Sequence, residues 1–148
     1  MSDATTMPGP GASGYTKPLP RPTAATRPFW DGCRRGELLL PWCLACGQPH
    51  FFPREFCPQC LATSLEWRRA SGRGRVWSHS TVRLSFWGRA FDDALPYVVA
   101  IVELDEGVRL VSNVVGCPSE AVHIGLPVEV VFDAVTPEAT LPRFRPLA

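Results

Sequence analysis

Four cysteines in two tight pairs, Cys43-x2-Cys46 and Cys57-x2-Cys60, are the residues of this chain best placed to do chemistry. A Cys-x2-Cys turn aims two sulfurs at one point. Two such turns can surround a Zn2+ ion tetrahedrally, with Zn–S distances of about 2.3 Å. Gly47, after the first pair, suits the positive φ that ends such a knuckle. Pro58, after the first cysteine of the second pair, fixes the φ of that turn in advance. Only residues 47–56 separate the pairs, room for a short hairpin on His50, Phe51 and Phe52. The spacing predicts a zinc ribbon with Cys43, Cys46, Cys57 and Cys60 as ligands. Two disulfides or four unrelated buried thiols are the alternatives. Four thiolates fill the coordination shell, so the predicted zinc is structural, and its binding energy serves folding.

The other reactive side chains assemble less well. His50 lies inside the ribbon and reads as a structural or surface residue. His79 follows Trp77 on a strand, where packing is the default, and His123 sits in a connector. No serine or cysteine stands in a Gly-x-Ser-x-Gly elbow. Cys33 and Cys117 read as small buried thiols. Cys117 would be a nucleophile only with a lowered pKa, and no neighbouring base is indicated.

Composition bounds these readings. At 148 residues the chain holds one ordinary domain, or a metal module joined to a domain of about 70–80 residues. No apolar stretch approaches the roughly 20 residues of a membrane span. Residues 1–25 have no apolar run and only Lys17 and Arg21 as cations, which reads as neither a secretory nor a transit signal. Reduced cysteines then place the protein in the cytoplasm. Net charge is +1, too little for a dedicated nucleic-acid binder, whose affinity comes mainly from neutralising phosphate.

The elements that position the cysteines follow from pattern. Residues 1–25, rich in proline and glycine and poor in large apolar side chains, read as a disordered tail. Residues 26–36 read as a short helix, with Thr26 as cap, Pro28 in the first turn, Gly36 as stop, and Phe29 and Cys33 on one face. Residues 37–68 form the ribbon, entered by a strand over 37–42 and left by one over 61–68.

From residue 69 the pattern is all-β. Strands are expected over 75–84, 97–104, 108–115, 128–135 and 141–147. The near-continuous apolar run 97–104 implies burial on both faces, and Asp105-Glu106-Gly107 is a hairpin turn. The connector 116–125 holds one helical turn capped by Ser119. Pro142 and Pro146 put the last strand at an edge. The expected architecture is mainly β: a short N-terminal helix, a rubredoxin-like zinc ribbon, then a five-stranded OB-fold barrel.

The loop 85–96 joins the first two barrel strands, where OB folds often bind ligands. Phe86, Trp87 and Phe91 could stack on a base or an acyl chain, with Arg89 meeting a phosphate. The alternative is a loop folded onto the barrel end or buried at a subunit interface. Phe29 and Trp30 on the short helix are a second group expected to present apolar surface to a ligand or partner.

The motifs RPFW (27–30), CLACG (43–47), CPQC (57–60), SGRG (71–74), PYVVA (96–100), ELDEG (103–107), IGLPVEVVF (124–132) and LPRFRP (141–146) stand in the order of the DUF35 proteins. Over residues 27–147 the chain resembles that zinc-ribbon/OB-fold family, and its four cysteines match the family's ligands. The resemblance implies a non-catalytic subunit beside a thiolase-like enzyme or a MaoC-like, hot-dog-fold hydratase acting on acyl-CoA thioesters. It also implies a ribbon that contacts the partner and an OB domain that contributes to a channel for the coenzyme A thioester. A zinc-ribbon/OB nucleic-acid module is the alternative, and a stand-alone enzyme using Cys117 trails both.

Overall fold

The computed structural model of the chain describes residues 14–86 and 88–148; residues 1–13 and Trp87 lie outside the described residues. One short helix, α1 (Arg27–Arg34), leads into a two-stranded sheet of β1 (Leu39–Cys43) and β2 (Leu65–Arg69), paired antiparallel from Leu39↔Arg69 to Cys43↔Leu65. Five further strands follow: β3 (Arg73–Val82), β4 (Tyr97–Leu104), β5 (Arg109–Val114), β6 (Pro127–Ala134) and β7 (Thr140–Pro146). They close into a barrel in the order β3-β4-β5-β7-β6, with Gly74↔Val128 among the pairs that join the two ends. This is the expected fold class: mainly strands, a helix, a cysteine ribbon and a five-stranded OB barrel.

The core is one continuous cluster. Val76, Val98, Ala100, Val102, Leu104, Leu110, Val114, Val128 and Phe144 fill the barrel, and Phe29, Cys33, Leu38, Leu40 and Ala70 extend the same cluster into the helix and ribbon. Gly74 is required by the pairing of β3 with β4. A Cβ there would run into the Glu103 carbonyl of β4, so only glycine lets the two strands meet.

Several expectations are corrected. Within the segment 14–25, expected to be a tail, Lys17 has partners in the barrel domain. Lys17 reaches the loop before β4 and pairs with Asp93 at 2.9 Å, its ammonium 5.6 Å from the Tyr15 ring and 5.7 Å from the Phe91 ring. Low apolar content hid a segment held by one charge and two aromatic rings. The first half of the predicted tail, residues 1–13, lies outside the described residues.

Thr26 precedes α1 without capping it. Its Oγ1 instead accepts from the Thr23 N–H at 2.8 Å, bracing the turn that leads into the helix. Gly36 does take the left-handed φ of +77° expected of a stop. Gly32 is buried in the helix, where a Cβ would press to 2.9 Å from the Leu39 side chain. No hairpin forms on His50, Phe51 and Phe52; the chain instead passes beside β1 in a single Trp42↔Pro49 bridge.

β3 stops at Val82, leaving Leu84 exposed beyond it, and it bulges between Val76 and Ser78. β4 alternates buried and half-buried positions, so only one face is fully covered. The turn in the connector (Ser119–Ala121) begins after Pro118, and Ser119 makes no cap.

β7 does not lie at an edge. It pairs with β6 from Val128↔Pro146 to Ala134↔Thr140 and meets β5 at Val114↔Phe144. The prolines are tolerated because residues 142, 144 and 146 turn their backbone groups away from β6. The Pro142 carbonyl accepts from Ser112 Oγ of β5 at 2.8 Å, and the Phe144 carbonyl accepts from the Val115 N–H at 2.7 Å. No β6 ladder bond is lost where the N–H is missing.

Candidate functional site: the cysteine centre and two clefts

Both cysteine turns are built alike. In the first, the Gly47 N–H donates to the Cys43 carbonyl at 2.9 Å and the Cys43 N–H donates to the Gln48 carbonyl at 3.0 Å. In the second, the Leu61 N–H donates to the Cys57 carbonyl at 2.9 Å and the Cys57 N–H to the Ala62 carbonyl at 2.8 Å. Gly47 sits at φ +74°, and Leu61, its counterpart, at +64°. Leucine in the left-handed region is unusual, and nothing in its side chain announces the turn. Two backbone N–H groups point at sulfur: Cys46 N–H to Cys43 Sγ at 3.5 Å, and Gln59 N–H to Cys57 Sγ at 3.4 Å.

The four sulfurs converge. Cys43 Sγ lies 3.6 Å from Cys60 Sγ, Cys46 Sγ lies 3.7 Å from Cys57 Sγ, and all four lie within 4.8 Å of one another. A tetrahedron with Zn–S distances of about 2.3 Å has S···S edges of about 3.8 Å, so the donor set fits zinc. The thiols of the centre differ in acidity. The Cys46 N–H is the first cause holding Cys43 down to about 7. At Cys46 a backbone N–H from Gln48 works in the same direction, but burial and the neighbouring sulfurs outweigh it and push the thiol up to about 12. Four thiolates this close need a cation among them.

His50 is buried beside this centre, 5% exposed, and neither ring nitrogen has a hydrogen-bond partner among the described residues. Burial, then the charge of Arg54, lowers its pKa, so it is a neutral structural residue. Cys33 is 1% exposed and pushed up to about 12 by burial, an inert thiol. His79 is exposed; His123 is exposed too, its Nδ1 3.2 Å from the Ala121 carbonyl.

The predicted contact residues scatter. Phe29 is core, 2% exposed, with Trp30 edge-on at 5.0 Å and Phe51 at 5.4 Å. It is not the apolar surface expected of it, because the helix turns this side chain into the seam between ribbon and barrel. Trp30 is half-buried. Phe86 is 85% exposed and Arg89 is exposed, while Phe91 packs on Tyr97 at 5.8 Å. Trp87 lies outside the described residues.

Two clefts draw on these residues and on others that the sequence did not single out. The larger, about 900 Å3, opens at the barrel end among Tyr15, Lys17, Phe91, Tyr97, Cys117 and Phe132. The smaller, about 650 Å3, lies between the barrel and the helix and ribbon, with Trp30, Phe51, Phe52 and Arg54 facing β5. Asn113, Leu141 and Arg143 line both. Among the described residues no helix is long and apolar enough to cross a membrane.

Comparison with known proteins agrees with this geometry. Family models described as "ChsH2, rubredoxin-like zinc ribbon domain" and "ChsH2, C-terminal OB-fold domain" match residues 30–66 and 67–133. A DUF35 domain-containing scaffold protein of Methanocaldococcus jannaschii is 42% identical over 91 residues, 61% of this chain and 63% of that protein. A probable enoyl-CoA hydratase alpha subunit of Thermomonospora curvata is 38% identical over 119 residues, 80% of this chain and 36% of that protein. A solved structure described as "Ltp2-ChsH2(DUF35) aldolase" matches with a TM-score of 0.77 at 35% identity, over 86% of this chain and 98% of that one. The chain thus spans less than two thirds of the first relative and about a third of the second.

Fold and site together define a zinc-ribbon protein with a C-terminal OB barrel. The chain belongs to the DUF35 family.

Proposed function

We propose that this chain is a non-catalytic accessory subunit of an acyl-CoA enzyme. The observation that carries the reading is the four-sulfur centre. Its donors fit zinc and leave no coordination position for substrate, so Cys43, Cys46, Cys57 and Cys60 hold a structural metal that fixes the ribbon. The metal, when bound, supplies cross-linking and charge neutralisation. The backbone N–H groups of Cys46 and Gln59 help to hold the thiolates.

The names of the similar proteins, an enoyl-CoA hydratase alpha subunit and an aldolase that contains a DUF35 chain, support a partner that processes acyl-CoA thioesters, and the reduced cysteines of the ribbon support a cytoplasmic setting. A MaoC-like hydratase or a thiolase-like subunit is that partner. The larger cleft, with Lys17 and Arg143 among apolar and aromatic walls, is where this chain would meet part of the coenzyme A thioester.

Co-expression with a hydratase or thiolase-like subunit tests the reading. A stable complex is expected, with acyl-CoA turnover by the mixture that neither component reaches alone. Robust turnover by the isolated chain overturns the proposal, and so does full activity of the partner without it.

A further inference from the structure

We propose that β5 offers an open strand edge which takes up an extended segment of the partner subunit, adding it as a further strand in the cleft between barrel and ribbon. This rests on the accessory-subunit reading above and names the surface that reading leaves unassigned.

Backbone groups of β5 alternate between its two neighbouring strands. The Leu104 N–H donates to the Val108 carbonyl, so even-numbered residues of β5 face β4. The Val115 N–H donates to the Phe144 carbonyl, so odd-numbered residues face β7. β5 pairs with β4 from Val98↔Val114 to Glu103↔Arg109, but with β7 at Val114↔Phe144 alone. In that parallel register the next donor, to the Val111 carbonyl, would be the N–H of residue 142. Pro142 has none, and its own carbonyl is taken by Ser112 Oγ. The ladder therefore ends after one bridge, and the β7-facing N–H and C=O of Val111, a residue that lines the cleft, are left outside it.

The surroundings fit an extended polypeptide. A strand beside β5 would run about 4.8 Å from it and present alternate side chains to the opposite wall. That wall is aromatic, made of Trp30, Phe51 and Phe52, with Phe52 52% and Val111 66% exposed. Charge narrows the occupant. Arg109 is held by Glu103 at 2.8 Å and Arg143 by Asp133 at 2.8 Å. Arg54 on the same rim makes no ion pair among the described residues. The segment accordingly alternates apolar side chains and carries a carboxylate for Arg54. Main-chain bonds would supply affinity and the aromatic wall selectivity, the division found in strand addition generally.

The test uses the intact chain and its complex with the acyl-CoA enzyme subunit named above. Val111→Pro removes the free N–H without touching a β4 bond; Val111→Thr keeps it. Complex affinity should fall about tenfold or more for the proline variant and stay within about twofold for the threonine variant. Independently of any variant, amide exchange at Val111 should slow about a hundredfold on complex formation. Unchanged exchange at Val111 in a complex that does form overturns strand addition and leaves the accessory reading standing. Failure of any complex to form overturns that reading, and this inference falls with it. Slow exchange at Val111 in the isolated chain would assign the edge to the chain itself and also overturn the proposal. The exchange measurement decides the matter if Val111→Pro does not fold.

Discussion

Arg143 and Asn113 span the seam between β5 and β7: Nη1 of Arg143 donates to Asn113 Oδ1 at 2.8 Å, and Asn113 Nδ2 donates to the Val98 carbonyl at 3.0 Å. Nε of the same arginine donates to Asp133 at 2.8 Å. One amide thus ties three strands together where the backbone ladder is reduced to a single bridge. Replacing Asn113 by Leu removes the side-chain bond to the Val98 carbonyl and leaves one arm of Arg143 without its acceptor. Stability should fall by about 1–3 kcal/mol, read as a lower urea midpoint at unchanged m-value.

The sulfur cluster predicts one zinc per chain. Cys57→Ser removes a buried ligand and should abolish stoichiometric zinc, as read by elemental analysis, with the ribbon amides losing exchange protection. Ligands must be deprotonated, so acidification should release the metal. Zinc retained at full occupancy in Cys57→Ser would contradict the assignment.

Cys33 predicts an alkaline effect. Burial raises its pKa to about 12, so the folded chain holds this proton when the unfolded chain, near 9.0, has lost it. The stability gained is fully present below pH 9 and is lost as pH rises towards 12. Cys33→Ala should cost about 1 kcal/mol at pH 7. The gap between parent and variant urea midpoints should then narrow from pH 9 upward. A gap independent of pH would refute the effect.

The Lys17–Asp93 pair predicts that the segment before the helix stabilises the barrel end. Lys17→Ala should lower the melting temperature at pH 7. The Asp93 carboxyl is held below its usual range, first by the Lys17 hydrogen bond, so the contribution is present above the ordinary carboxylate pKa and lost below it. Parent and variant should melt closer together as pH falls below the ordinary carboxylate range, while deletion of residues 1–18 should reproduce the Lys17→Ala loss at neutral pH.

Two phenylalanines should behave in opposite ways. Phe29→Ala opens the joint between helix, ribbon and barrel and should cost about 3–5 kcal/mol. Phe86→Ser, at a position 85% exposed, should change stability by no more than about 0.5 kcal/mol. Denaturant titration of both variants distinguishes a core residue from a surface one.

What the sequence disclosed follows the range of the interactions. The cysteine pairs were legible because knuckle chemistry is local, and β4 ran over the expected 97–104 because apolar β-branched residues fill it. The position of β7 was not legible. Its prolines argued for an edge, but barrel closure depends on contacts such as Val114 with Phe144, which no local pattern encodes. Arg143 and Asn113 escaped notice for the same reason, being polar residues thirty positions apart that meet across the seam. Lys17 lies in a segment whose composition argues for disorder, and its pairing with Asp93, seventy-six positions away, has no local signal. Leu61 shows the limit most plainly: a leucine occupies the turn position that glycine fills in the first knuckle.

The two family models meet between residues 66 and 67, and that junction falls inside β2 (Leu65–Arg69). The boundary between the two matched domains therefore cuts through the β1–β2 sheet. A fragment begun at residue 67 would split the partner strand of β1 and strip Phe29, Cys33, Leu38 and Leu40 from the barrel's apolar cluster. An engineer grafting the barrel onto another protein would have to carry the helix and ribbon with it. In mechanical terms, the ribbon and helix are the barrel's footing.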